Sequence, residues 1–69
     1  MANVECPIAG KVLKIKIQVG QEVGEDVALF IVEAMKMENE VFGDAGTVKE
    51  IMVKVGDRVQ EGDVLAVIE

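Results

Sequence analysis

Along Leu13-Lys14-Ile15-Lys16-Ile17-Gln18-Val19, apolar and polar residues alternate without a break. Successive side chains of a strand point to opposite faces, so this run predicts a strand with one face buried. Ile51-Met52-Val53-Lys54-Val55 repeats the pattern, with Met52 the apolar exception on the outer face. Laying Gly10 over Gly46 sets an offset of 36 residues, and further coincidences follow with no gap. Val12 meets Val48, Ile15 meets Ile51, Ile17 meets Val53, and Val19-Gly20 meets Val55-Gly56. Val23 meets Val59, Leu29 meets Leu65, Ile31 meets Val67, and Glu33 meets Glu69. Such a run marks an internal repeat: two copies of one supersecondary unit related by a pseudo-twofold axis. Val12 and Val48 are out of phase with the alternation that follows them. A phase slip implies a bulge or bend. Its recurrence predicts a strand that bends there and passes from one sheet to the other.

Val19-Gly20 and Val55-Gly56 mark turns, since Gly reaches positive φ at little cost. Short strands are expected around Glu22-Val23 and Arg58-Val59, then turns at Glu25-Asp26 and Glu61-Gly62-Asp63, then strands over Val27 to Glu33 and Val64 to Ile68. No segment sustains a helical period. The predicted fold is all-β: a flattened barrel-sandwich of two four-stranded antiparallel sheets with internal pseudo-twofold symmetry, forming a single domain over residues 1–69. Leu13, Ile15, Ile17, Leu29, Ile51, Val53 and Leu65 are expected to face inward. The first strand set ends near Glu33 and the second begins near Met37, which puts Lys36 at the tip of the hairpin between them.

Composition narrows the chemistry. The chain has 69 residues and a formal net charge of −6, from seven basic and thirteen acidic side chains. It lacks the basic footprint of a nucleic-acid binder, and Phe30 and Phe42 are its only aromatics. No apolar run approaches the ~18 residues of a membrane span, and no signal peptide is visible, so direct membrane insertion is not expected. A single cysteine, Cys6, suits a reducing compartment, and the expected location is cytoplasmic. His, Ser, Tyr and Trp are absent. Ser–His and Cys–His nucleophile pairs therefore cannot be built, nor can a His or Cys-cluster metal site. The expectation is a protein without activity of its own, to which something must be added.

Glu33-Ala34-Met35-Lys36-Met37-Glu38-Asn39 resembles the biotin attachment motif of the biotinyl domain family. Cys6-Pro7-Ile8-Ala9-Gly10 is similar to the family's opening segment. Val55-Gly56-Asp57-Arg58-Val59 and Glu61-Gly62-Asp63-Val64-Leu65 are similar to its closing turns. The resemblance covers roughly Asn3 to Glu69 and implies the biotinyl/lipoyl domain type of fold. Asp26 departs from it, standing where the family commonly has the glycine seen here as Gly62. Asp tolerates left-handed backbone better than most residues, so the departure touches the turn and not the fold. The ungapped repeat leaves no room for the "thumb" insertion of some members.

The resemblance implies biotin carried covalently on Lys36, with Ala34, Met35 and Met37 completing the cofactor-binding motif. It implies a biotin protein ligase as partner, activating biotin as its adenylate for attack by the lysine amine. It also implies a biotin carboxylase that loads the carrier and a carboxyltransferase or decarboxylase subunit that unloads it. An ordinary lysine amine is almost wholly protonated at neutral pH, so the ligase must reach the residue and deprotonate it. A protruding tip permits that. For an arbitrary lysine the bland reading is a solvated charge, and Met35 and Met37 taken alone read as strand or core residues. Glu33, Glu38 and Glu40 read as charges that keep the tip soluble, and Cys6 as a small buried or edge residue. Two other functions share the fold: a lipoyl carrier of a 2-oxoacid dehydrogenase or glycine cleavage system, and a non-catalytic barrel-sandwich interaction module. The lipoyl motif usually has an acidic residue before the lysine, where this chain has Met35.

Overall fold

The computed structural model describes all residues, 1–69. Its regular elements are eight strands: β1 Ala2–Glu5, β2 Gly10–Ile15, β3 Glu22–Val23, β4 Phe30–Ala34, β5 Met37–Val41, β6 Gly46–Ile51, β7 Arg58–Val59 and β8 Val64–Ile68. They form two four-stranded sheets, ordered β1-β8-β6-β3 and β5-β4-β2-β7, with every pairing antiparallel. Exchanging β1 with β5, β2 with β6, β3 with β7 and β4 with β8 turns one order into the other. The repeat seen in the residues is thus the symmetry of the fold.

Loop hydrogen bonds obey the same rotation. Gly20 N donates to Val48 O at 2.7 Å, and Gly56 N to Val12 O at 2.8 Å. Val48 N donates to Gln21 O, and Val12 N to Asp57 O. Lys16 N donates to Leu29 O and Met52 N to Leu65 O, 36 residues on in each partner. These bonds locate the crossing between sheets. Lys16 still bonds toward its own sheet, whereas Gly20 and Gln21 bond to β6 in the other. The chain therefore crosses over Lys16–Gly20, beyond the end of β2, and not at the phase slip.

The slip is a bulge within the strand. Register shifts between Val12 and Lys14 against β4, and between Val48 and Glu50 against β8. This corrects the expected placement of Leu13. Leu13 is the extra residue of the bulge, half-buried and outside the main cluster, while Val12 is fully buried within it. Two residues oppose one at a bulge, so alternation counted from Leu13 starts one residue late. Its counterpart at the second bulge is the exposed Lys49, as a position that needs no apolar side chain allows. Ile17, Leu29 and Leu65 are buried, and Ile15, Ile51 and Val53 pack partly buried against the cluster.

The core lies between the sheets and comprises fourteen residues, including Val12, Leu29, Phe30, Val32, Val41, Val48, Leu65 and Ile68. No polar or charged side chain is buried in it. Cys6 is buried, its thiol 2.9 Å from Ile8 O. Close packing also explains Gly10 and Gly46, where a Cβ would overlap the carbonyl oxygens of Glu33 and Glu69 respectively. The symmetry is imperfect near Asp26. Asp26 is not left-handed, because the only non-glycine residues with positive φ are Met35 and Lys36. β4 begins at Phe30, later than the expected start at Val27.

Candidate functional site

The β4–β5 hairpin carries the motif. Its register pairs Phe30 with Val41, Val32 with Asn39, Glu33 with Glu38, and Ala34 with Met37, so the loop is the two residues Met35 and Lys36. Their φ values are 54° and 64°. Positive φ at both central residues is the signature of the type I′ turn, whose twist matches that of the flanking strands. That turn usually takes Asn-Gly, because left-handed backbone costs a residue with a β-carbon about 1–2 kcal/mol. Here the two positions hold Met and Lys.

The base of the hairpin is firm. Val32 and Ala34 are buried, Ala34 to 6% exposure, so β4 is anchored in the core up to the residue before the turn. Asn39 braces the other arm: its Nδ2 donates to Val32 O at 3.3 Å and to Met37 O at 3.2 Å. Sequence reasoning quoted Asn39 within the motif but assigned it no role. The signal available was parity, since Asn39 shares the inward phase of Val41 on β5. Above this base the side chains are free. Met35 is 85% exposed, Met37 is 65% exposed, and Lys36 is exposed between them.

The four residues of the expected site are therefore contiguous and divide into a buried foot, Ala34, and an exposed crown, Met35, Lys36 and Met37. Glu33, Glu38 and Glu40 are exposed beside it, as expected of solubilising charges. The remaining lysines project from strands or from extended segments: Lys11 and Lys14 on β2, Lys49 on β6, and Lys16 and Lys54 just beyond β2 and β6. Only Lys36 stands on a two-residue turn. An amine so placed can enter the active site of another protein without the sheet following it. The residues fit a covalently attached group, because no side chain covers the amine and its support is rigid. No group of metal-ligating side chains occurs.

Residues 2–68 match the family model described as Biotin-requiring enzyme, the biotin/lipoyl family. The chain belongs to this family. It is 49% identical over 67 residues to the biotin carboxyl carrier protein of Streptococcus mutans, a match covering 96% of this chain and 52% of that protein. It is 40% identical over 67 residues to the biotinylated protein TB7.3 homolog of Mycobacterium leprae, covering 96% and 94% respectively. The urea carboxylase structure of Kluyveromyces lactis superposes with a TM-score of 0.90 at 35% identity, over 99% of this chain and 6% of that one. A lipoyl relative is also present. The dihydrolipoyllysine-residue acetyltransferase component of Mycoplasma genitalium pyruvate dehydrogenase is 50% identical over 60 residues, covering 86% of this chain and 16% of that protein. The chain thus spans about half the length of the streptococcal carrier and a small fraction of the multidomain relatives. It is a carrier domain of the biotin-dependent carboxylase family, without catalytic residues of its own. Biotin carrier domains in general work with a biotin ligase and with carboxylase and transferase subunits.

Proposed function

We propose that Lys36 is the residue that carries biotin, and that the domain shuttles a carboxyl group from a biotin carboxylase to a carboxyltransferase or decarboxylase. The observation that carries this reading is the tip itself: an exposed lysine in left-handed backbone, between two exposed methionines, on a hairpin anchored by Ala34 and Asn39. When attached, biotin supplies the ureido nitrogen that takes up and gives back the carboxyl group. The chain's residues present and orient it. The type I′ turn leaves Lys36 exposed at the end of the hairpin, Met35 and Met37 offer apolar surface to whichever active site receives the tip, and the β4–β5 ladder ties the tip to the sheet. Tethering raises effective concentration at each partner site without any new contact. We also place the domain in the cytoplasm, because a chain with a single cysteine, Cys6, suits a reducing compartment.

Incubation with biotin ligase, ATP and biotin should add one biotin, and peptide mass mapping should place it on Lys36. Label on Lys49 or Lys54, or no label, would overturn the assignment. The relative from pyruvate dehydrogenase favours one second reading, lipoylation of the same lysine. Parallel incubation with a lipoate ligase decides between them: faster lipoylation than biotinylation would replace biotin by lipoate in this assignment. Loaded and unloaded protein should then be compared with biotin carboxylase, ATP and labelled bicarbonate. Label should enter only the biotinylated form.

A further inference from the structure

The repeat supplies an internal control for every surface feature, because a residue that the fold demands recurs 36 positions on. One feature does not recur. A cavity of about 310 Å³ opens where β2 meets β7, lined by Ala9, Gly10, Arg58, Val59 and Gln60. Register fixes its place. Gly10 pairs with Val59 and Lys11 with Arg58, while on its other side Lys11 pairs with Glu33. A Cβ on Gly10 would overlap the Glu33 carbonyl oxygen. The cavity floor is therefore bare backbone pressed against the strand that leads into Lys36.

The symmetry-related place holds Ala45, Gly46, Glu22, Val23 and Gly24, and no cavity is found there. Ala9, Gly10 and Val59 have identical counterparts, and at the glycine and the valine the reasons are structural. Both glycines accommodate a carbonyl oxygen, and both valines are buried, Val59 to 5% and Val23 to 7%. Arg58 and Gln60 are the members that change, to Glu22 and Gly24. The fold accounts for the glycine and the valine and not for Arg58 and Gln60. Both side chains are hydrogen-bond donors, and the Arg58 guanidinium donates no hydrogen bond within the chain. Backbone N–H of Gln60 donates to Asp63 Oδ2 at 2.8 Å, which holds the turn that presents its side chain. Of two equivalent places, only the one beside the Lys36 hairpin carries a cation and an amide.

We propose that this cavity is a resting site for the ureido head of the biotin on Lys36, with Arg58 and Gln60 donating to its carbonyl oxygen or to a carboxylate it bears. The inference rests on biotinylation of Lys36. Reach is sufficient: Arg58 lies two strand spacings, about 10 Å, across the sheet from Glu33, and Lys36 stands at most three residues, about 10 Å, beyond Glu33 along the hairpin, so about 14 Å separates the two backbones and the Arg58 side chain closes part of that span. A lysyl-biotinyl arm of about eleven bonds extends roughly 13 Å at ~1.2 Å per bond. Arginine presents a planar fork that matches a carboxylate, and the small Ala9 leaves room for the head. Donors open to water hold weakly, as suits a group that must leave for a partner's active site.

The test compares ¹⁵N-labelled protein before and after biotinylation, with mass spectrometry confirming the added biotin. Biotinylation should shift the amide resonances of Gly10, Arg58, Val59 and Gln60, and leave Glu22, Val23, Gly24 and Gly46 unmoved. The Arg58→Glu/Gln60→Gly double variant rebuilds the cavity as its own counterpart, whose backbone already accepts those residues. It should lose the shifts at Gly10 and Val59 while keeping the mass increment and the shifts at Met35 to Met37. Shifts confined to the tip in the parent protein, or cavity shifts unchanged in the variant, would overturn the resting site. Cavity shifts that arise only on adding a biotin carboxylase would assign these residues to a protein contact and overturn it equally. Absence of the mass increment would instead overturn biotinylation itself.

Discussion

Two kinds of tight turn in this domain enter left-handed backbone by different means. Gly20 and Gly56, with φ of 92° and 96°, end the two crossing segments, and an added Cβ at either would meet nothing within 4 Å. Glycine is there for its conformation alone. Met35 and Lys36, at 54° and 64°, do the same work with long side chains. The first pair is what a turn selects when only the fold is at stake. The second sacrifices stability for side chains that make no contact in the core. Backbone strain of this kind concentrates where function over-determines the residue, and here it marks the tip without reference to any relative.

The sharpest break in this comparison is Lys36→Arg. It should abolish biotin incorporation as read by mass spectrometry, yet move unfolding stability by no more than about 0.5 kcal/mol, as for other exposed positions. Leu65→Ala tests the opposite region: about 2–5 kcal/mol lost in urea denaturation, with labelling of the folded fraction unchanged. Gly56→Val and Gly20→Val should each cost about 1–2 kcal/mol, the cost of a β-carbon in left-handed backbone. Near-equal losses would show that the symmetry extends to energetics, and a negligible loss at either would refute the strain argument for its turn. The smallest effect is expected at the tip. Met35→Gly relieves left-handed strain but loosens the unfolded chain by about 0.4–1 kcal/mol, for a net gain of about 0.5 kcal/mol. A loss of stability would mean that Met35 packs on something when the protein is in solution.

Much of this was legible in the residues. The 36-residue repeat, the strands at Glu22–Val23 and Arg58–Val59, the recurring irregularity after Val12 and Val48, and the lysine between the halves all follow from local pattern and its recurrence. Leu13 was misplaced because a bulge and a regular strand give the same alternation beyond the slip. Only pairing with β4 shows which residue is extra. Asn39 was passed over because its partners, Val32 O and Met37 O, become neighbours only when the hairpin closes.

Alternation of apolar and polar residues encodes which face of a strand is buried, and that is a property of each short segment. The sequence by itself therefore determined the all-β class, the twofold repeat and the position of Lys36 between its copies. Which strand lies beside which is settled by sheet closure, through pairings of residues far apart in the chain. Only the tertiary structure decided that the chain crosses over Lys16–Gly20 and that Met35 and Lys36 are left-handed. It alone brings Ala9 and Gly10 against Arg58 and Gln60 beside the tip, because no local periodicity records a contact made across a sheet.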